Sequence, residues 1–211
     1  MWPSEGPNII HAKTLFQTCN CDRFVTVEPL NLNVQKLKTP PSAVLVLQSF
    51  EPARTQAIGE SIGVQARPGD VVLLIGDLGA GKTCLTQGVL RGLGSKDHVR
   101  SPTFVLIMEH PGRIPLYHAD LYRLEQGSDL NGVGLEEYLQ GDGLCVVEWA
   151  DRAPGVFPNE RLEVSIEQDE NQQDGRTLTL TAFGVRYADL LQSLIAGIGR
   201  SNNTVCKAID I

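Results

Sequence analysis

The sequence predicts an α/β fold with a mostly parallel central sheet, flanking helices and antiparallel hairpin additions. Two short apolar segments, Val71–Ile75 and residues 144–147, have the continuous pattern of strands buried on both faces. A glycine-rich run and an amphipathic helical pattern follow the first of them directly. Residues 104–108 with 114–118, and 162–166 with 177–183, are each joined through polar turns and read as two hairpins.

Taken in order, residues 1–43 mix Asn, Pro, Thr and Lys with isolated apolar residues and close on Thr39-Pro40-Pro41, which resists helix and strand alike. They are expected to form a poorly ordered extension ahead of a domain over residues 44–198. A start at Val44 or Val46 by a non-ATG codon is the alternative, and the intact mass of the natural protein decides between them. Residues 43–47 read as a strand. Residues 54–66, with Ile58, Ile62 and Val64 among polar neighbours, fit an amphipathic helix that ends at Arg67-Pro68-Gly69-Asp70. Residues 82–93 carry Leu85, Val89, Leu90 and Leu93 at helical spacing. Residues 135–139 suggest a short helix, and in the second hairpin apolar and polar residues alternate around Asp174-Gly175, leaving one solvated face. Residues 185–198 close the domain as an amphipathic helix, and residues 199–211, without pattern, are expected to fray as a C-terminal tail.

The 211 residues suit one domain with extensions. With 18 basic against 25 acidic residues, the net charge of −7 offers no footprint for a nucleic-acid backbone, so any link to RNA runs through a partner. Apolar runs stop at about five residues where a membrane helix needs roughly 20, and Met1-Trp2-Pro3-Ser4-Glu5 lacks the basic start of a secretory signal. Five scattered cysteines read as reduced thiols, so the expectation is a soluble cytoplasmic protein with no membrane partner. Cys19-x-Cys21 with His11 falls short of a four-ligand zinc set. Glycine, at 21 of 211, exceeds the usual share of roughly 7%.

Part of that excess has a chemical reason. Gly76-Asp77-Leu78-Gly79-Ala80-Gly81-Lys82-Thr83 matches G-x-x-x-x-G-K-[ST] between a buried strand and a helix, the signature of the P-loop NTPase fold. Glycines let the backbone curl with its N–H groups inward, and the helix N-terminus adds a positive dipole. Lys82 then neutralises the β- and γ-phosphates, and the Thr83 hydroxyl ligates Mg²⁺. Cys84 follows at the start of the helix, where the dipole is expected to lower its pKa and sensitise it to alkylation.

No N-K-x-D element accompanies the loop, which argues against a guanine-specific GTPase. Glu148 stands where the apolar segment 144–147 ends, the place where doubly wound sheets put ligand chemistry. Its candidate roles are Mg²⁺ binding, directly or through water, and polarising the attacking water; a solvated strand-end carboxylate is the plain reading. Asp120 either reaches a metal-bound water and the γ-phosphate region or caps the next segment. Thr103, in Ser101-Pro102-Thr103-Phe104, is either a γ-phosphate-sensing switch residue or part of an ST-turn. His118 beside Asp120 suggests a proton-transfer pair or a local hydrogen bond.

GDLGAGKT, SPTF, YHADLYRL, GLEEYL and CVVEWADR, in that order, resemble the TsaE family of small P-loop ATPases over most of the chain, roughly residues 47–183. The resemblance implies that Gly76 to Thr83 bind the phosphates of ATP, with Lys82 and Thr83 central. It implies the Walker B role for Glu148, active-site loops holding Asp120 and Thr103, and a Trp149 near the nucleotide. It further implies a cytoplasmic factor of tRNA threonylcarbamoyladenosine synthesis that works with TsaB, TsaC and TsaD. Such a factor hydrolyses ATP slowly alone and faster on the TsaB–TsaD pair, and meets tRNA only through that complex. Departures are the Ala in His-Ala-Asp, Cys84 where Thr or Ser is usual, and residues 1–43, which have no counterpart in the family. The residues themselves leave open a small-molecule kinase, with Arg113 and Arg123 as thin support for a lid, and a nucleotide-gated assembly factor without essential catalysis.

Overall fold

In a computed structural model, the described residues are 41–98, 101–102, 106–124, 134–169, 172–198 and 206–209. The chain runs β1 (Ala43–Ser49), α1 (Pro52–Gln65), β2 (Val71–Ile75), α2 (Lys82–Gly92), β3 (Ile107–His110) and β4 (Leu116–Asp120). It continues with α3 (Leu135–Leu139), β5 (Leu144–Glu148), β6 (Arg161–Gln168), β7 (Arg176–Phe183), α4 (Val185–Ile198) and β8 (Cys206–Ile209). The eight strands form one sheet in the order β3-β4-β5-β2-β6-β7-β1-β8. Its centre, β4-β5-β2-β6, is parallel, and antiparallel ladders add β3 on one side and β7, β1 and β8 on the other. This is the P-loop NTPase fold, with both expected hairpins in place.

Burial on both faces explains why β2, the strand that leads into the glycine-rich loop, lacks polar residues. Val72 and Leu74 of β2 enter one core with Leu85 and Leu90 of α2, Ile58 and Ile62 of α1, and Leu191 and Leu194 of α4. Val71 and Leu73 point the other way, into a second core with Ala119, Leu121, Leu135 and Val147. Each fully buried aliphatic side chain contributes about 1.5–3 kcal/mol, so a polar residue on either face would be costly.

Helix α2, which carries the phosphate loop, is gripped by α1 through glycine. Gly59 and Gly63 on α1 face the α2 backbone, and Gly88 and Gly92 on α2 face that of α1, each pair four residues apart on one helix face, with Gly63 against Gly92. A Cβ added at Gly59 would stand 2.2 Å from the Leu85 carbonyl oxygen, and one at Gly88 2.0 Å from that of Gln56. The helices therefore touch backbone to backbone, a second reason for the glycine excess. Arg113 ties down the far end of α1, donating to the carbonyls of Gly63, Val64 and Ala66 at 2.7, 3.0 and 2.5 Å.

The chain end departs from expectation. Cys206–Ile209 pairs antiparallel with β1, from Leu47 opposite Cys206 to Val44 opposite Ile209. Edge pairing needs only main-chain donors and acceptors, which leave no mark in the hydrophobic pattern. The frayed tail expected over 199–211 thus holds a strand. Residues 1–40, with Cys19, Cys21 and His11, lie outside the described residues. Among the described residues, no helix is long and apolar enough to cross a membrane.

Candidate nucleotide site

Strands β2, β4 and β5 end side by side, and the loop 76–81 curls from the end of β2 into α2. Gly76 (φ 146°) presses against β6, where a Cβ would stand 2.4 Å from the Ile166 carbonyl oxygen. Gly81 caps α2 at φ 112°, a conformation open to glycine at little cost. Leu78, Gly79, Gly81, Lys82, Thr83 and Cys84 line one side of a cleft of about 470 Å³, and Ser101, Asp120, Tyr122, Glu148 and Trp149 line the other.

Lys82 is buried, its Nζ donating to the carbonyls of Gly76 at 2.6 Å and Asp77 at 2.8 Å. Trp149 stacks over that ammonium, with Nζ 3.7 Å from the ring centroid. The tryptophan reaches this position from a left-handed backbone (φ 60°), strain that turns the chain sharply after β5. Burial lowers the Lys82 pKa below the ordinary lysine value, while Glu148, Asp120, Asp151 and Asp77 act in the opposite direction. A polyphosphate would act with the carboxylates and favour the charged ammonium.

Glu148, also buried, is held through both oxygens. The Thr83 hydroxyl donates to Oε2 at 3.0 Å and His118 Nε2 donates to Oε1 at 2.8 Å. A hydroxyl that donates its proton to a carboxylate keeps both lone pairs for a cation. Thr83 and Glu148 together offer the hard oxygen donors that suit Mg²⁺. Among the described residues, no cluster of three or more His, Cys, Asp and Glu side chains forms a cage for a metal. Two oxygen donors at the mouth of the loop fit a cation that shares its coordination with phosphate and water.

Asp120 sits opposite Glu148 in the β4–β5 register and is buried in the same cleft. Its Oδ1 accepts the Tyr122 N–H at 2.9 Å and its Oδ2 accepts the Ser101 hydroxyl. It thus caps the segment after β4 and joins the acidic wall as well. His118, two residues earlier on the same face of β4, hydrogen-bonds Glu148 on the neighbouring strand and not Asp120. That rules out the pairing suggested by their proximity in sequence.

Cys84 is also corrected. Burial pushes its thiol pKa up, outweighing its neighbours, and Sγ donates to the Pro52 carbonyl at 3.4 Å. A protonated, tied thiol is a poor target for alkylation. Arg113 works at the far end of α1, away from the loop, so it offers no lid. Thr103 lies outside the described residues. Sequence reasoning missed Ser101 and Tyr122 as lining residues; the side chains of the SPTF and HADLY segments were the available signal.

Comparison with known proteins agrees with this geometry. The model of the family described as threonylcarbamoyl adenosine biosynthesis protein TsaE matches residues 49–178. The tRNA threonylcarbamoyladenosine biosynthesis protein TsaE of Bacillus subtilis is 45% identical over 148 residues, covering 70% of this chain and 91% of that protein. Its counterpart from Nostoc is 40% identical, covering 65% of this chain and 85% of that protein. The crystal structure of Bacillus subtilis YdiB superposes with a TM-score of 0.62 at 40% identity, covering 74% of this chain and 96% of that one. With the phosphate loop, the acidic strand ends and these relatives in agreement, the chain belongs to the TsaE family.

Proposed function

We propose that this chain is the ATP-hydrolysing subunit of the cytoplasmic machinery that attaches the threonylcarbamoyl group to adenosine beside the anticodon of tRNA. It binds ATP with Mg²⁺ and works in complex with TsaB- and TsaD-type proteins. The observation that carries the reading is the Thr83–Glu148–His118 chain beside Lys82, in a protein whose relatives bear the name of that pathway. Lys82 and the loop amides hold the polyphosphate, and Trp149 shields the ammonium from water. His118 and Thr83 keep Glu148 in one orientation, so that its carboxylate orders a cation's water shell or the attacking water without reorganising. Bound Mg²⁺ would neutralise charge on the β- and γ-phosphate oxygens. The net charge of −7 fits a subunit that meets tRNA through its partners.

Phosphate release, measured with and without the TsaB–TsaD pair, tests the proposal. Slow release by the chain alone and faster release with the pair is the expected result. Equal rates would overturn the partnership, and transfer of the γ-phosphate to a small acceptor would replace hydrolysis by a kinase activity.

A further inference from the structure

The phosphate loop rests on the β6–β7 hairpin, and one cation supplies side-chain hydrogen bonds to it. Arg176, the first residue of β7, donates Nε to the Ala80 carbonyl at 3.0 Å and Nη2 to that of Gly79 at 3.5 Å. Its Nη1 donates to the carbonyls of Gln173 and Gly175 at 3.0 and 2.7 Å, which fixes the guanidinium to its own turn. The same hairpin approaches the loop twice more: a Cβ added at Gly76 would stand 2.4 Å from the Ile166 carbonyl oxygen, and one at Gly79 3.3 Å from Gln168 Nε2.

A trans peptide directs its C=O and N–H oppositely, and there are no cis peptides in the described residues. The Ala80 carbonyl, turned outward to Arg176, turns the Gly81 N–H toward the concave side, where an anion would accept it. The guanidinium also places a positive charge behind the peptide dipoles that face the phosphates. Arg176 is partly buried, 96 residues from Ala80, and falls in a segment whose alternation reads only as a strand.

We propose that Arg176 is a positioning residue for phosphate binding, a buttress through which the β6–β7 hairpin sets the orientation of the loop amides. It touches no nucleotide itself. The proposal rests on the reading of the loop as a polyphosphate site.

Calorimetric titration of the full chain with ATP–Mg²⁺ tests it, comparing wild type with Arg176→Ala and Arg176→Lys. Arg176→Ala is expected to bind about ten-fold more weakly, the loss of charge-assisted hydrogen bonds to the loop. Millimolar guanidinium should restore part of that affinity, and Arg176→Lys should fall between, since one ammonium cannot span both loop carbonyls and its own turn. A structural role alone would not move the Gly81 amide resonance, which should shift downfield with ATP–Mg²⁺ in wild type and less in Arg176→Ala. If Arg176→Ala unfolds, the same affinity and resonance measurements on Arg176→Lys decide. Wild-type affinity in the variants overturns the buttress and leaves the phosphate site standing, whereas a wild-type chain that binds no ATP overturns both.

Discussion

Lys82 and Glu148 sit within one cleft but should fail differently. Lys82 has its ammonium clamped between the Gly76 and Asp77 carbonyls and the Trp149 ring. Lys82→Ala should therefore lose most of its ATP affinity, on the order of 10- to 100-fold in a binding titration. Near-wild-type binding would remove the phosphate-clamp role. Glu148→Ala leaves the loop intact and should keep ATP affinity while hydrolysis, measured with partners present, drops on the order of 10²-fold or more. Normal turnover in that variant would move the acidic role to Asp120, its register neighbour. The placement of Lys82 and Thr83 at the loop was legible because the spacing of the motif is local. His118 was legible as a residue near chemistry but not as a partner of Glu148, because that hydrogen bond crosses from one parallel strand to the next.

At the scale of elements, the α1–α2 crossing decides how firmly the phosphate loop is held. Gly63→Ala would place a Cβ 2.1 Å from the Val89 carbonyl oxygen, while the Cβ of Gly197→Ala on α4 would meet nothing within 4 Å. The first should destabilise the fold by about 1–3 kcal/mol through overpacking, and the second should lie within about 0.5 kcal/mol of wild type. Urea unfolding of both variants measures the difference, and equal midpoints would mean that the helices separate without cost. The glycines were visible as an excess in composition. Their placement where the two helix backbones meet was not, since each lies among residues of ordinary helical pattern.

For the whole molecule, burial ties stability to pH on the alkaline side. Burial pushes the Tyr187 phenol from 10.0 to about 12, although its hydrogen bond from the Val71 N–H pulls the other way. Burial also pushes the Cys145 thiol from 9.0 to about 12. Both groups fold in their protonated forms, so their contribution is complete below pH 9–10, the unfolded values, and is lost as pH rises through about 12. The urea midpoint should accordingly fall across that window, and a flat profile would contradict it. Tyr187→Phe should soften the alkaline slope and cost about 1–3 kcal/mol at neutral pH by leaving the buried Val71 N–H without its acceptor.

By itself the sequence determined the fold class, the phosphate loop and the strand-end carboxylate, because each depends on short-range pattern: apolar runs, glycine spacing and a strand followed by a helix. Only the tertiary structure decided that His118 serves Glu148, that desolvation raises the pKa of the half-buried Cys84 thiol, that Cys206–Ile209 adds an edge strand to the sheet, and that Arg176 reaches the loop from 96 residues away. Each of these depends on distance and solvent exclusion between segments remote in sequence, and that information exists only once the backbone has brought them together.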